Sequence, residues 1–288
     1  MIPALFDYAR ADTVDDAIEL LVEHGDDAKL LAGGHSLLPL MKLRLATPAV
    51  LVDVSRIAEL SYVRDAGDHV AIGGLTRHHD VEHSDVVRAH APLLAHAAGQ
   101  VGDPQVRHRG TLGGSLAHAD PASDLPACVL ALGGTIVALG AGGERALAVD
   151  DFFLGFLETA LAPDEVITEV RIPKATGAGY GFEKFTRRAQ DWAIVGVAAV
   201  GGEHPGVALV NMGSTPTRAR AVEARLAEGA SPARAAEVAD EGTEPSSDLN
   251  AGEEYRRHLA RVLVERALVS ASAGAGAGAG VGATGGSR

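Results

Sequence analysis

Two short glycine-rich stretches carry the most chemistry in this sequence. The first, Ala32-Gly33-Gly34-His35-Ser36, lies between a predicted strand ending at Leu31 and a short apolar segment that starts a helix. Consecutive glycines let the backbone turn so that several N–H groups point into one concavity. Beside a helix N-terminus, such a nest suits a pyrophosphate. Ser36 adds a hydroxyl donor. The second stretch, Gly110-Thr111-Leu112-Gly113-Gly114-Ser115, has the same character. Either one alone also reads as an ordinary tight turn, whereas the two together could hold a bridged diphosphate from opposite sides. Asp124 heads the next predicted helix, with Pro126 just inside it. It reads as an N-cap and as a carboxylate accepting a hydrogen bond from a ligand hydroxyl, two compatible roles.

Other motifs lead elsewhere. His79-Asp80-Val81-Glu82-His83 matches H-x-x-E-H, with both histidines on one helical face. Zinc hydrolysis also requires a distant third ligand and an open water position, and a segment crowded with His78, His90 and His96 produces such a match by chance; no metal site is expected. Gly280-Val281-Gly282-Ala283-Thr284-Gly285 satisfies G-x-G-x-x-G, but no strand precedes it and no room for a helix follows. No G-x-S-x-G nucleophile elbow is present. Cys128 is the single cysteine, so the chain forms no internal disulfide and holds no iron–sulfur cluster of its own. In its apolar setting it reads as a small core residue.

These residues need elements to position them. Thr13 caps a helix with Asp16 three residues on; Val14, Ala17, Ile18 and Leu21 form its buried face and Gly25 closes it. Strands are predicted at 29–31, 50–54, 70–72 and 135–139, with the start of a helical region over 76–87 and a helix from 125 to 132. Past Pro173, the linker-like Thr176-Gly177-Ala178-Gly179 marks a boundary near 176. Strands follow near 180–186, 193–200 and 206–212, and helices at 219–227 and 253–270. Residues 273–288 are Gly/Ala low complexity and are expected to be disordered. The pattern alone gives a mixed α and β chain of two domains, with 288 residues and 47% hydrophobic content. A net charge of −13 argues against nucleic acid, which requires a cationic face. The N-terminus lacks a signal-peptide pattern. The uncharged run from Leu125 to Gly143 reads as a buried helix and strand, not a transmembrane segment, because Gly133-Gly134 interrupts it. A cytoplasmic protein is expected.

Residues 30–57, LLAGGHSLLPLMKLRLATPAVLVDVSRI, and 103–127, DPQVRHRGTLGGSLAHADPASDLPA, resemble the FAD-binding medium subunits of the carbon monoxide dehydrogenase family, within the xanthine dehydrogenase-type molybdenum hydroxylases. The resemblance runs from about Ile2 to Ser270 and includes SSDLNAGEEYRRHLARVL. It implies an α+β fold: a two-subdomain FAD-binding domain of the PCMH, vanillyl-alcohol-oxidase-like kind over 1–175, split near 56, then a smaller α/β C-terminal flavoprotein domain over 176–272. It implies that Ala32, Gly33, Gly34, His35 and Ser36, with Thr111, Leu112, Gly113, Gly114 and Ser115, hold the FAD pyrophosphate. Asp124 then contacts the ribityl region and Thr76 also approaches FAD. Lys184 and Trp192 match a segment near the isoalloxazine ring; from the residues alone, Lys184 also reads as solvated surface and Trp192 as a core residue beginning a strand. Relatives often carry glutamine where His35 stands and asparagine where Ser115 stands.

By the same resemblance the chain has no catalytic residue acting on substrate. Its partners are an iron–sulfur small subunit and a molybdopterin large subunit, in a dimer of heterotrimers. Electrons arrive from the clusters and leave to an external acceptor. A self-contained FAD-dependent oxidoreductase is the rival reading; it requires a substrate-side acid or base that the C-terminal half does not display. A non-catalytic assembly subunit that has lost flavin is the other, and the intact glycine turns oppose it.

Overall fold

Local chemistry sets the first helix. The Thr13 hydroxyl accepts from the Asp16 N–H at 3.1 Å, and the Asp16 carboxylate accepts from the Thr13 N–H at 3.0 Å, a complete capping box. Helix α1 (Val14–His24) buries Val14, Ala17, Ile18 and Leu21 and stops at Gly25. In the computed structural model, which describes residues 2–277, α1 connects strand β1 (Asp7–Arg10) to β2 (Ala28–Leu31). Helix α2 (Leu37–Lys42) then connects β2 to β3 (Val50–Asp53). The three strands form a parallel sheet in the order β1-β3-β2. The first glycine turn leaves the carboxyl end of β2, the edge at which open parallel sheets hold ligands.

A second sheet follows. Strands β4 (Val63–Asp65), β5 (His69–Gly73), β6 (Thr135–Gly140) and β7 (Gly143–Ala148) precede a hairpin of β8 (Phe153–Gly155) and β9 (Glu158–Thr159), and β10 (Val166–Pro173) returns to the middle. The order is β4-β5-β10-β6-β7, antiparallel throughout. Between β5 and β6 the chain makes six short helices: α3 (His78–His83), α4 (Asp85–His90), α5 (Pro92–Gly99), α6 (Pro104–Arg107), α7 (Leu112–His118) and α8 (Asp124–Ala131). The helical region predicted to start over 76–87 opens with two helices, α3 and α4. Ser84 is extended and its hydroxyl caps α4 by accepting from the Val87 N–H. Every residue of α8 is buried, so the uncharged run from Leu125 is a core helix followed by β6. Among the described residues no helix is long and apolar enough to cross a membrane.

The last sheet, β11 (Tyr180–Phe185), β12 (Val195–Val200), β13 (Gly206–Val210) and β14 (Thr217–Arg218), is antiparallel in sequence order. Strands β12 and β13 are buried at every position because both faces are covered. Ala198, Val200, Ala208 and Val210 join the core around α8. Val197, Ala199, Val207 and Leu209 face a second core that includes residues of helices α9 (Arg220–Ala227), α10 (Pro232–Ala236) and α11 (Glu253–Ala277). Helix α11 continues into the first residues of the tail expected to be disordered; residues 278–288, and with them the G-x-G-x-x-G match, lie outside the described residues.

Candidate functional site

The two glycine turns touch. The Gly33 backbone lies so close to the second segment that a β-carbon there would sit 2.3 Å from the Arg109 carbonyl oxygen. Gly34 turns with φ +78°, a left-handed conformation that side-chain-bearing residues rarely adopt. Together they open onto one cleft of about 730 Å³, within the range of roughly 300–1,000 Å³ usual for cofactor sites. Ala32, Gly33, Gly34, His35 and Ser36 line one side, and Thr111, Gly113, Gly114 and Ser115 line another. Asp124, Lys184 and Trp192 are also on its wall. Thr76 and Leu112 are not. The Thr76 hydroxyl is buried, donating to the Tyr62 carbonyl at 2.8 Å and accepting from the Tyr62 N–H at 3.1 Å. Leu112 is a core side chain. Both help to hold the second turn in place.

The turns are not equivalent, which corrects the expectation of two matching nests. In the first, no backbone carbonyl among the described residues accepts from the N–H groups of Gly33, Gly34, His35 or Ser36, leaving a row of donors beside the cleft. The second is the first turn of α7, and its donors are engaged. Leu112 and Gly113 donate to the Thr76 and Gly74 carbonyls at 3.0 and 2.9 Å, and Ser115 to the Thr111 carbonyl at 3.0 Å. The Gly114 N–H bonds the Thr111 hydroxyl at 3.1 Å, so Thr111 is the N-cap. The first turn therefore offers hydrogen bonds, and the second supplies a rigid wall carrying the Ser115 side chain.

Asp124 and Lys184 meet across 60 residues of sequence, Nζ to Oδ2 at 2.6 Å, with side chains only 6% and 10% exposed. Lys184 is thus a buried counter-ion and not solvated surface; its Nζ also donates to the Gln100 carbonyl at 3.0 Å. Ser123, not Asp124, occupies the cap position of α8 and makes no side-chain cap bond. The second carboxylate oxygen, Asp124 Oδ1, is buried with no partner. Burial pushes the Asp124 carboxyl up to about 6, against the pull of Lys184. Trp192 is neither core nor strand: it is 58% exposed, in the loop between β11 and β12.

Sequence reasoning passed over His78, which lines the same cleft. Its ring lies against Gly110, where a β-carbon would be 2.6 Å from Cδ2 and Nε2. Burial, with the nearby Arg77, His35 and Arg107, lowers its pKa to about 4, so the imidazole is neutral, and its Nδ1 has no partner. Only a signal beyond periodicity could have separated it from the histidines around it. Of these, His79, Glu82 and His83 have ligand atoms within 4.8 Å of one another.

An array of free backbone donors, a buried carboxylate with an open acceptor and an exposed indole on one cleft are the attributes of a site for a large anionic cofactor with hydroxyl groups and a flat ring. These residues fit FAD. Comparison with known proteins is consistent with that class. Residues 4–175 match the family described as FAD binding domain in molybdopterin dehydrogenase, and residues 180–271 the CO dehydrogenase flavoprotein C-terminal domain. The chain is 42% identical to the carbon monoxide dehydrogenase medium chain of Hydrogenophaga pseudoflava, over 94% of this chain and 98% of that one. It is 37% identical to the 6-hydroxypseudooxynicotine dehydrogenase complex subunit alpha of Paenarthrobacter nicotinovorans, over 94% and 96%. A solved carbon monoxide dehydrogenase structure from Hydrogenophaga pseudoflava superposes with a TM-score of 0.91 at 43% identity, covering 95% of this chain and 99% of that one. The chain belongs to the family of FAD-binding medium subunits of molybdenum hydroxylases.

Proposed function

We propose that the cleft holds FAD with its diphosphate on the first glycine turn, its ribityl hydroxyls toward Asp124 and its ring toward Trp192. The observation that carries this reading is the unpaired Oδ1 of Asp124, a buried acceptor on the wall of a cleft that also presents unengaged N–H groups. A buried polar atom without a partner costs about 1–3 kcal/mol, which a ligand hydroxyl would recover. Lys184 holds the carboxylate in place. Gly33 brings the donor turn against the wall carrying Ser115.

Bound flavin supplies redox chemistry that takes electrons singly and releases them in pairs, while the chain binds, orients and tunes it. The chain serves as the last station of a cytoplasmic relay. An iron–sulfur small subunit delivers electrons drawn from a molybdopterin large subunit, in a dimer of heterotrimers. A lone cysteine agrees with clusters held elsewhere. In the purified chain carrying FAD, dithionite should bleach the flavin bands and no small organic substrate should do so until the partner subunits are added. Reduction by a substrate with this chain alone would instead identify a self-contained oxidoreductase.

A further inference from the structure

We infer that His79, Glu82 and His83 form a binding site for a divalent cation of the zinc class, on the outer side of the wall that carries the second glycine turn. Helix α3 presents His79 and His83 one turn apart, and one ligand atom from each of the three residues lies within 4.8 Å of the others. His83 Nδ1 is 2.9 Å from the His79 carbonyl oxygen. That carbonyl accepts a hydrogen bond from Nδ1–H, which fixes the tautomer and leaves the Nε2 lone pair free. Metal-ligating histidines characteristically have this outer hydrogen bond. The His79 ring is flanked by His83, with centroids 4.2 Å apart, and by His108 at 4.1 Å. Stacking on both sides limits its rotation. Glu82 is held too: its Oε2 is 2.9 Å from Arg107 Nε, and its Oε1 faces Gly99.

The donor set selects the ion. Two imidazoles and one carboxylate suit zinc, copper or nickel, whereas magnesium and calcium take oxygen ligands. Zinc–nitrogen bonds of about 2.0–2.1 Å bring tetrahedral ligand atoms to roughly 3.3 Å apart. The ligand atoms must close from 4.8 Å, and the half-exposed His83 side chain has room for that adjustment while pivoting on its Nδ1 hydrogen bond. Arg107 beside Glu82 opposes a cation, so the imidazoles dominate affinity. The ion acts as a clamp: helix α3 also carries His78, whose ring backs Gly110, so fixing α3 steadies the second turn from behind. The three side chains stand clear of the cleft wall, so the ion would bind whatever occupies the cleft.

The full chain, stripped with a chelator and titrated with Zn²⁺ by calorimetry, should bind one equivalent, with Mg²⁺ failing to compete. His83→Gln and His79→Gln should each lower the affinity about tenfold or more, while circular dichroism of the metal-free variants matches the parent. Co²⁺ in the unaltered chain should give visible bands of low-symmetry nitrogen coordination, a readout that needs no variant. Zinc uptake unchanged in both variants, binding no stronger than that of Mg²⁺, or a Co²⁺ spectrum identical to that of the aqueous ion would each overturn the site.

Discussion

At the scale of residues, the cleft rests on a few atoms placed without slack. Gly33→Ala forces a methyl into the Arg109 carbonyl oxygen, a backbone atom that has no side-chain freedom to yield. FAD content of the purified variant should fall about tenfold or more, since losing one to two charged hydrogen bonds of about 1.5–3 kcal/mol exceeds a decade in affinity; full flavin content would show that the two turns need not meet. Asp124 and His78 give opposite pH signatures. The folded-state pKa of Asp124 is raised from 3.8 to about 6, so its contribution to stability is present below 3.8 and lost as pH rises through 6. Relative to Asp124→Asn, the flavin-free parent should lose stability between these values, measured by urea unfolding. The pKa of His78 is depressed from 6.5 to about 4, so its contribution is present above 6.5 and lost as pH falls through 4. His78→Gln should flatten that acid limb.

At the scale of elements, the site depends on how the helices begin. Sequence reasoning found the first helix because its cap, its acidic partner, its apolar face and its terminal glycine all lie within a few residues. Removing that cap by Thr13→Ala should cost about 1 kcal/mol of unfolding free energy. Helix α7 was not anticipated: two glycines in its first turn read as a tight turn, and the Gly74 and Thr76 carbonyls, from a segment distant in sequence, accept from Gly113 and Leu112 where the Thr111 cap starts the helix. Strand β10 was missed for a related reason. It is the central strand of its sheet, yet its apolar alternation is broken by a register shift between Ile167 and Glu169, and the polar Glu169 is buried where Tyr62, Arg64 and Arg171 bond it. Leu116 lies on the buried side of α7, so Leu116→Ala should destabilise the fold by about 3 kcal/mol and loosen FAD retention, the wall losing its support.

At the scale of the whole molecule, the legible part of the candidate site was the position of its two glycine turns and the donor chemistry of the first; the illegible part was everything that tertiary contact creates. The Asp124–Lys184 pair joins α8 to β11, and no spacing rule connects residues so far apart. Trp192 was read as the start of a strand, but the strand begins at Val195, which leaves the indole on the cleft wall. The asymmetry between the two turns likewise follows from which carbonyls happen to lie beside them. The C-terminal sheet shares a core with α8, so the carboxylate at the head of α8 and the lysine of β11 are fixed by one packed body.

On the reading proposed above, this cleft holds its cofactor by the diphosphate. Equilibrium titration of the flavin-free chain with FAD and with FMN, followed by flavin fluorescence, tests it most directly. FMN offers the same ring and ribityl chain without the bridged diphosphate. FAD binding about a hundredfold tighter is expected, near 2.7 kcal/mol, and equal affinity for the two flavins would show that the cleft does not grip the diphosphate.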